Sequence, residues 1–385
     1  MTEKLYDQNS HLFTFEATVL DCREEKKGFS VVLDRTAFFP EGGGQLADTG
    51  TLGNTRVQDV HEREGEIRHY IDAPLPVGER VTGTLNAEQR LRRMQNHSGE
   101  HILSGLVHNA FGYDNVGFHM GAECMIIDFS GELSWEQLMA LETRANEVIR
   151  QNLPLHIWFP TDAELQTLEY RSKLELTENV RIVEIPGVDR CACCAPHVER
   201  TGEVGIVKIL DSQRHRGGQR VSVICGLDAL EDYRARQESV TEISRALSAK
   251  REEVTRAVQR VMDEQQAMKE RCDALSLALI RYMAAAEPET AGNILVFDAV
   301  LGEIAQRELV NLLMEKAGGF AAVFVGSDDA GWRYIIGSRD RDLRAGARVI
   351  NTAIAGRGGG TPRMIQGSAR AVRREIEASL KELSV

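Results

Sequence analysis

From residue 228 to residue 286 the chain holds neither glycine nor proline, and Val240, Leu247, Val254, Val261, Met268 and Leu275 fall at strict seven-residue steps. A stretch free of helix breakers with this repeat predicts one long helix carrying an apolar seam. The companion positions are mixed: Ile243, Val258, Cys272 and Leu279 are apolar, whereas Lys250, Glu264 and Arg271 are charged. Three readings stay open, a helix packed on its own domain, a hairpin coiled coil, and a coiled coil joining two chains as a homodimer through 228–286. In either case a helix of this length divides the 385 residues into parts that must build their own cores.

On its N-terminal side, residues 13–20, Phe29–Leu33, 56–60 and Arg80–Leu85 are rich in β-branched residues and phenylalanine and are separated by Gly and Pro turns. They predict a small β-barrel-like module over 1–87. From Glu88 the period changes, with Leu91, Met94, His101, Ile102 and Leu106 at helical spacing, a second helix over 135–150, and strand-like runs between and after them. Residues 88–227 therefore read as an α+β domain. Beyond Glu287-Pro288-Glu289, apolar strands alternate with helical patterns, which predicts an α/β domain over 287–385. The overall class is α+β.

Charge separates these parts. The chain carries a formal net charge of -12, which argues against binding polyanions over its whole surface. Residues 331–374 are the exception, with ten arginines against two aspartates, no lysine and no glutamate, a local +8. Arginines around Gly356-Arg357-Gly358-Gly359-Gly360 suit phosphate contact. Of seven cysteines, Cys191, Cys193 and Cys194 crowd into four positions, which suits metal or thiolate chemistry better than a disulfide framework. The charged opening stretch lacks the apolar run of a signal peptide, and no later segment is apolar enough to span a bilayer. A cytoplasmic protein, with no membrane partner, is expected.

In Asn96-His97-Ser98-Gly99-Glu100-His101 two imidazoles lie four apart on a helical segment, so both project from one face and can share an ion. In Cys191-Ala192-Cys193-Cys194-Ala195-Pro196-His197, Pro196 forbids a regular helix, and Cys193 and His197 converge from a tight loop. Thiolate plus imidazole is what zinc prefers, so one Zn2+ per chain is expected on His97, His101, Cys193 and His197. Cys191 and Cys194 form an alternative C-x-x-C pair. His97 to His101 also spells H-x-x-E-H, a zinc peptidase motif with Glu100 as general base. A non-catalytic RNA-binding protein with a structural zinc is a third reading.

Arg93 to Leu103, the loop Phe38-Phe39-Pro40-Glu41-Gly42-Gly43-Gly44-Gln45 with Asp48-Thr49-Gly50, and Cys193 to His197 followed by Val198 and Thr201-Gly202-Glu203 together resemble the free-standing alanyl-tRNA editing proteins, relatives of the editing domain of alanyl-tRNA synthetase. The C-terminal Gly356-Arg357-Gly358-Gly359-Gly360 with Pro362 and Gln366-Gly367 is similar to the C-terminal domain of that synthetase, which points to the long form of the family. Where the family usually has Gly-Thr before the histidine of the Cys/His loop, this chain has Ala195-Pro196. The resemblance implies hydrolysis of the ester joining a wrong amino acid, chiefly serine with glycine as a second candidate, to the terminal adenosine of tRNA(Ala). It further implies substrate contact by Gly43, Gly44 and Gln45, with Thr36 a weaker candidate for the hydroxyl contact. Glu100 and Gln45 are the candidate catalytic side chains, and Arg357, Gly358, Gly359, Gly360 and Arg363 the candidate RNA contacts.

Overall fold

The computed structural model describes residues 2–121, 123–172, 180–381 and 383. Two compact units emerge, Met1–Ser239 and Val240–Val385. The first opens with the short parallel pair β1 (Glu3–Lys4) and β4 (Arg35–Thr36) beside a barrel. The barrel strands are β2 (Thr14–Glu24), β3 (Phe29–Leu33), β5 (Gly50–Leu52), β6 (Thr55–Arg63), β7 (Glu66–Ile71) and β8 (Arg80–Leu85). They close in the order β2-β3-β7-β6-β5-β8. The alternate residues Phe15, Ala17 and Val19 of β2 fill its interior, with Val57 and Val60 of β6, which lie on either side of a register shift.

Helix α1 (Ala87–Phe111) follows, started by Asn86, whose side chain accepts from the Gln89 N–H, and stopped by Gly112 in the left-handed conformation. Its middle is enclosed on all sides: every residue from Met94 to Gly105 is buried. The sheet β14-β15-β10-β9, made of β9 (Asn115–Met120), β10 (Met125–Phe129), β14 (Val207–His215) and β15 (Gly218–Cys225), shares one core with α1 and α2 (Trp135–Gln151). A second small sheet, β11 (His156–Trp158), β12 (Ile182–Ile185) and β13 (Asp189–Ala192), packs β13 against α1, with α3 (Asp162–Leu165) lying between β11 and β12 in the chain.

The continuous helix expected over 228–286 is corrected. Helix α4 (Gly226–Ala246) ends before Lys250, and α5 (Val254–Ala286) begins anew. Ser248 adopts φ +49°, Ser248 N–H donates to Arg245 O and Ala249 N–H to Ser244 O, a Schellman stop built without glycine. Ser244 Oγ adds a bond to Ala249 O. The seven-residue row is solvent-exposed at Val261, Met268 and Leu275.

In the second unit, β16 (Ile294–Asp298), β17 (Ala321–Ser327), β18 (Gly331–Gly337), β20 (Met364–Ala369) and β19 (Gly356–Gly360) form one sheet in that order, parallel only between β16 and β17. Ala321, Val323 and Val325 share one core with α6 (Glu303–Met314) and the end of α5. Phe320, Ala322 and Phe324 share the other with α7 (Leu343–Ala353) and α8 (Arg373–Leu380), as the two-residue period of a strand requires. No helix among the described residues is long and apolar enough to cross a membrane.

Candidate metal centre

His97 and His101 sit one helical turn apart in the enclosed middle of α1, with ring centroids 5.6 Å apart. The loop after β13 brings His197 to within 4.9 Å of the His97 ring and 4.6 Å of the His101 ring. Cys193 Sγ lies 3.5 Å from His97 Nε2 and 3.3 Å from His197 Nε2. Tetrahedral bonds of about 2.3 Å to sulfur and about 2.0 Å to nitrogen place neighbouring ligand atoms about 3.5 Å apart. The ligand atoms of His97, His101, Cys193 and His197 all lie within 4.8 Å of one another, so the donor set fits a zinc ion.

Each imidazole is held from behind. His97 Nδ1–H donates to Gln45 Oε1 at 3.0 Å, His101 Nδ1–H to Asp189 Oδ2 at 2.9 Å, and His197 Nδ1–H to Ser98 Oγ at 3.0 Å. The amide oxygen and the carboxylate are acceptors only, so on His97 and His101 the Nδ1 atom carries a proton and Nε2 is the atom left to face a metal. Burial alone pushes the Cys193 thiol up, but the imidazoles of His97, His197 and His101 around it hold it well below the usual thiol range. Burial depresses His197 to about 3, keeping it neutral. Thiolate and neutral imidazole are the forms that bind zinc. His101 behaves differently: burial lowers it, but Asp189 and Cys193 raise it well above the usual range.

The Gly-rich loop reaches this centre through a tight turn. Gly42 and Gln45 exchange both backbone bonds at 3.0 Å, and Gly43 and Gly44 take φ +59° and +81°, the two left-handed positions of a type I′ turn. A Cβ on Gly44 would stand 2.7 Å from the Phe118 ring and carbonyl, while Gly44 O accepts from Met120 N–H. Packed this closely on β9, the turn delivers Gln45 to His97, and the Phe118 ring lies 4.9 Å from the same ring at a tilt of 50°. Gln45 is 1% exposed, and its Nε2 has no hydrogen-bond partner.

Glu100 is buried: Oε1 accepts from Ser104 Oγ at 2.5 Å and from Asn115 Nδ2, and Oε2 lies 3.8 Å from His101 Nε2. Thr36 is placed elsewhere. It is fully buried, its hydroxyl donates to His69 Nε2 at 2.8 Å and accepts from Phe38 N–H, and His69 Nδ1–H donates to Val31 O. Burial lowers His69 to about 4, so its ring is neutral and Nε2 is an acceptor. The carboxylate a peptidase of H-x-x-E-H type would add is Asp189 by proximity, yet it meets His101 on the Nδ1 side, away from the thiolate. Arg357, Gly358, Gly359, Gly360 and Arg363 belong to the second unit, where β19 is an exposed edge strand and Asn351 Nδ2 donates to Gly358 O.

Sequence reading missed Ser98, Asp189, Asn115 and Arg181. Arg181 Nη1 donates to Cys193 O at 2.9 Å and Ala195 O at 2.8 Å, fixing the ligand loop. Ser98 alone carried a signal, as the residue between two helix-borne ligands.

Residues 180–222 match the family described as the threonyl and alanyl tRNA synthetase second additional domain, and residues 5–89 match the class II (A) tRNA synthetases. The whole chain aligns with the alanyl-tRNA editing protein AlaX-L of Pyrococcus horikoshii at 30% identity, covering 98% of that protein. An alanine–tRNA ligase of Halorubrum lacusprofundi is 30% identical over 91% of this chain, and one of Methanopyrus kandleri 29% identical over 95%. The chain spans 40% and 42% of the length of those two ligases.

Proposed function

Because the chain belongs to the alanyl-tRNA editing proteins, we propose that it cleaves the ester joining serine, and secondarily glycine, to the terminal adenosine of tRNA(Ala), at one zinc held by His97, His101, Cys193 and His197. The chain is a hydrolase, an aminoacyl-tRNA deacylase. The observation that carries the zinc-centred reading is the convergence of four donor atoms around one point, with the imidazoles backed on their far sides.

The need for such a site follows from pocket physics. A pocket built for alanine rejects an added hydroxyl by only about a hundredfold, so misacylated tRNA is made. A second site whose polar groups need the serine hydroxyl loses on the order of ten thousand-fold when alanine leaves them unpaired. Gln45 supplies such groups: its Oε1 is committed to His97, and its buried amide N–H donors have no protein acceptor. Gly43 and Gly44 let the backbone approach the substrate closely. Thr36 acts from behind, holding Phe38 N–H at the start of the loop.

Bound zinc supplies Lewis-acid polarisation of an ester carbonyl or a water. Glu100 carries the proton: Ser104 and Asn115 occupy Oε1, and Oε2, toward the ligand centre, takes the proton from the attacking water and returns it to the leaving ribose oxygen. In the second unit, Arg357, Arg363 and the open glycine strand Gly358 to Gly360 hold tRNA phosphates, giving affinity without amino-acid choice.

Deacylation of seryl-, glycyl- and alanyl-tRNA(Ala), with and without a chelator, tests the reading. Release of serine and glycine, sparing of alanine, and arrest by the chelator are expected. Full activity in metal-free protein would end the zinc-centred mechanism, and bound zinc with no ester cut would leave a tRNA-binding protein with a structural metal. For the second unit, Arg357→Ala and Arg363→Ala should each reduce the salt slope of tRNA binding by about one. An unchanged slope assigns the arginines to something else.

A further inference from the structure

The three imidazoles are held from behind by unlike chemistry. The acceptors behind His97 and His197 are neutral, the Gln45 amide oxygen and the Ser98 hydroxyl. Behind His101 stands the carboxylate of Asp189, with a side chain only 1% exposed. A carboxylate this dry needs a second cation, and Arg171 provides it in a bidentate fork, Nε to Oδ1 at 2.7 Å and Nη2 to Oδ2 at 3.0 Å. Burial tends to lower the guanidinium, and Asp189 more than reverses this, holding it above its ordinary range. Arg171 cannot swing away, because its N–H donates to Arg190 O and its carbonyl accepts from Ala192 N–H, both at 2.9 Å, which stitches it alongside β13.

A negative charge behind a ligating imidazole strengthens the nitrogen on its far side, whereas a carbonyl or hydroxyl mainly fixes the ring plane. Resting on the reading that the cluster holds zinc, we propose that Asp189, fixed by Arg171, is the positioning residue that makes His101 the dominant imidazole anchor of the centre, with Gln45 and Ser98 setting the orientation of the other two. The four segments involved, α1, β13, the Gly-rich turn and the strand-like piece at Arg171, are then locked by one network.

The test uses the full chain. Zinc affinity is measured by competition with a chromogenic chelator, and the ligand field by the absorption of the cobalt(II)-substituted protein, for the wild type, Asp189→Asn, Ser98→Ala and the double variant Asp189→Asn with Arg171→Met. Asp189→Asn is expected to weaken zinc binding by about 10–100-fold and to move the cobalt bands. Ser98→Ala should cost less than a tenth of that and leave the bands in place. Where Asp189→Asn alone fails to fold because Arg171 is left uncompensated, the double variant, which removes both buried charges, carries the same expected loss. A wild-type protein that takes up no zinc would sink the centre and this role together. Wild-type binding with Asp189→Asn within twofold of it, or equal losses for Asp189→Asn and Ser98→Ala with unmoved bands, overturns the role of Asp189 and leaves the centre standing.

Discussion

His97→Ala is expected to abolish release of serine from seryl-tRNA(Ala) while leaving tRNA binding nearly intact. The substitution removes one of four donors and frees Gln45 from the bond that holds it. Lewis-acid stabilisation is worth several kcal/mol, so its loss should slow the reaction by about a thousandfold or more. Zinc content should fall below one equivalent in the same samples. Binding should persist because the proposed phosphate contacts lie in the other compact unit. A His97→Ala protein that still turns over seryl-tRNA(Ala) at the wild-type rate would show that the chemistry does not pass through this centre.

The donor pairs were legible in sequence because metal chemistry needs particular side chains at particular spacings: His97 and His101 share a helix face, and Cys193 and His197 share a loop. What stood behind them was not legible. Asp189 is 88 residues from His101, Gln45 is 52 from His97, and an aspartate or glutamine by itself carries no spacing rule. The barrel strands with strong alternation were readable, but β7 with Arg68 and His69 was not, because its burial depends on neighbours: His69 is enclosed by Thr36 and Val31, partners 33 and 38 residues away. The break between α4 and α5 was hidden for a different reason. Ser248 takes a conformation normally given to glycine, so the absence of glycine and proline promised a continuity that local hydrogen bonding overrode. At Gly356–Gly360 the sequence suggested phosphate contact but gave no secondary structure, and the run is an edge strand with Tyr334 Oη under Gly358, too close for a Cβ there.

Arg90→Met should be the most damaging single change to the fold of the first unit. Arg90 is fully buried, and Asp48 is 1% exposed. The guanidinium donates to Asp48 Oδ2 through Nε at 2.9 Å, to Ser10 O at 2.9 Å and to Ala37 O at 2.6 Å, so one side chain joins α1 to both ends of the Gly-rich loop. Asp48 in turn accepts from Phe39 N–H, and Arg93 stands 3.6 Å from its other oxygen. Removing one partner of a buried pair leaves an uncompensated charge and costs about 3–5 kcal/mol. For a unit of this size that lowers the melting temperature by on the order of 10 °C, read in the full chain by calorimetry. The double variant Arg90→Met with Asp48→Asn, which removes both charges, should recover much of the loss, since a buried pair replaced as a whole is nearly neutral. Because Gln45 sits three residues before Asp48, the single variant should also lose deacylation activity beyond what the unfolded fraction explains. A melting temperature within 2 °C of the wild type, or a double variant worse than the sum of its parts, would mean that the pair does not hold the loop to the helix.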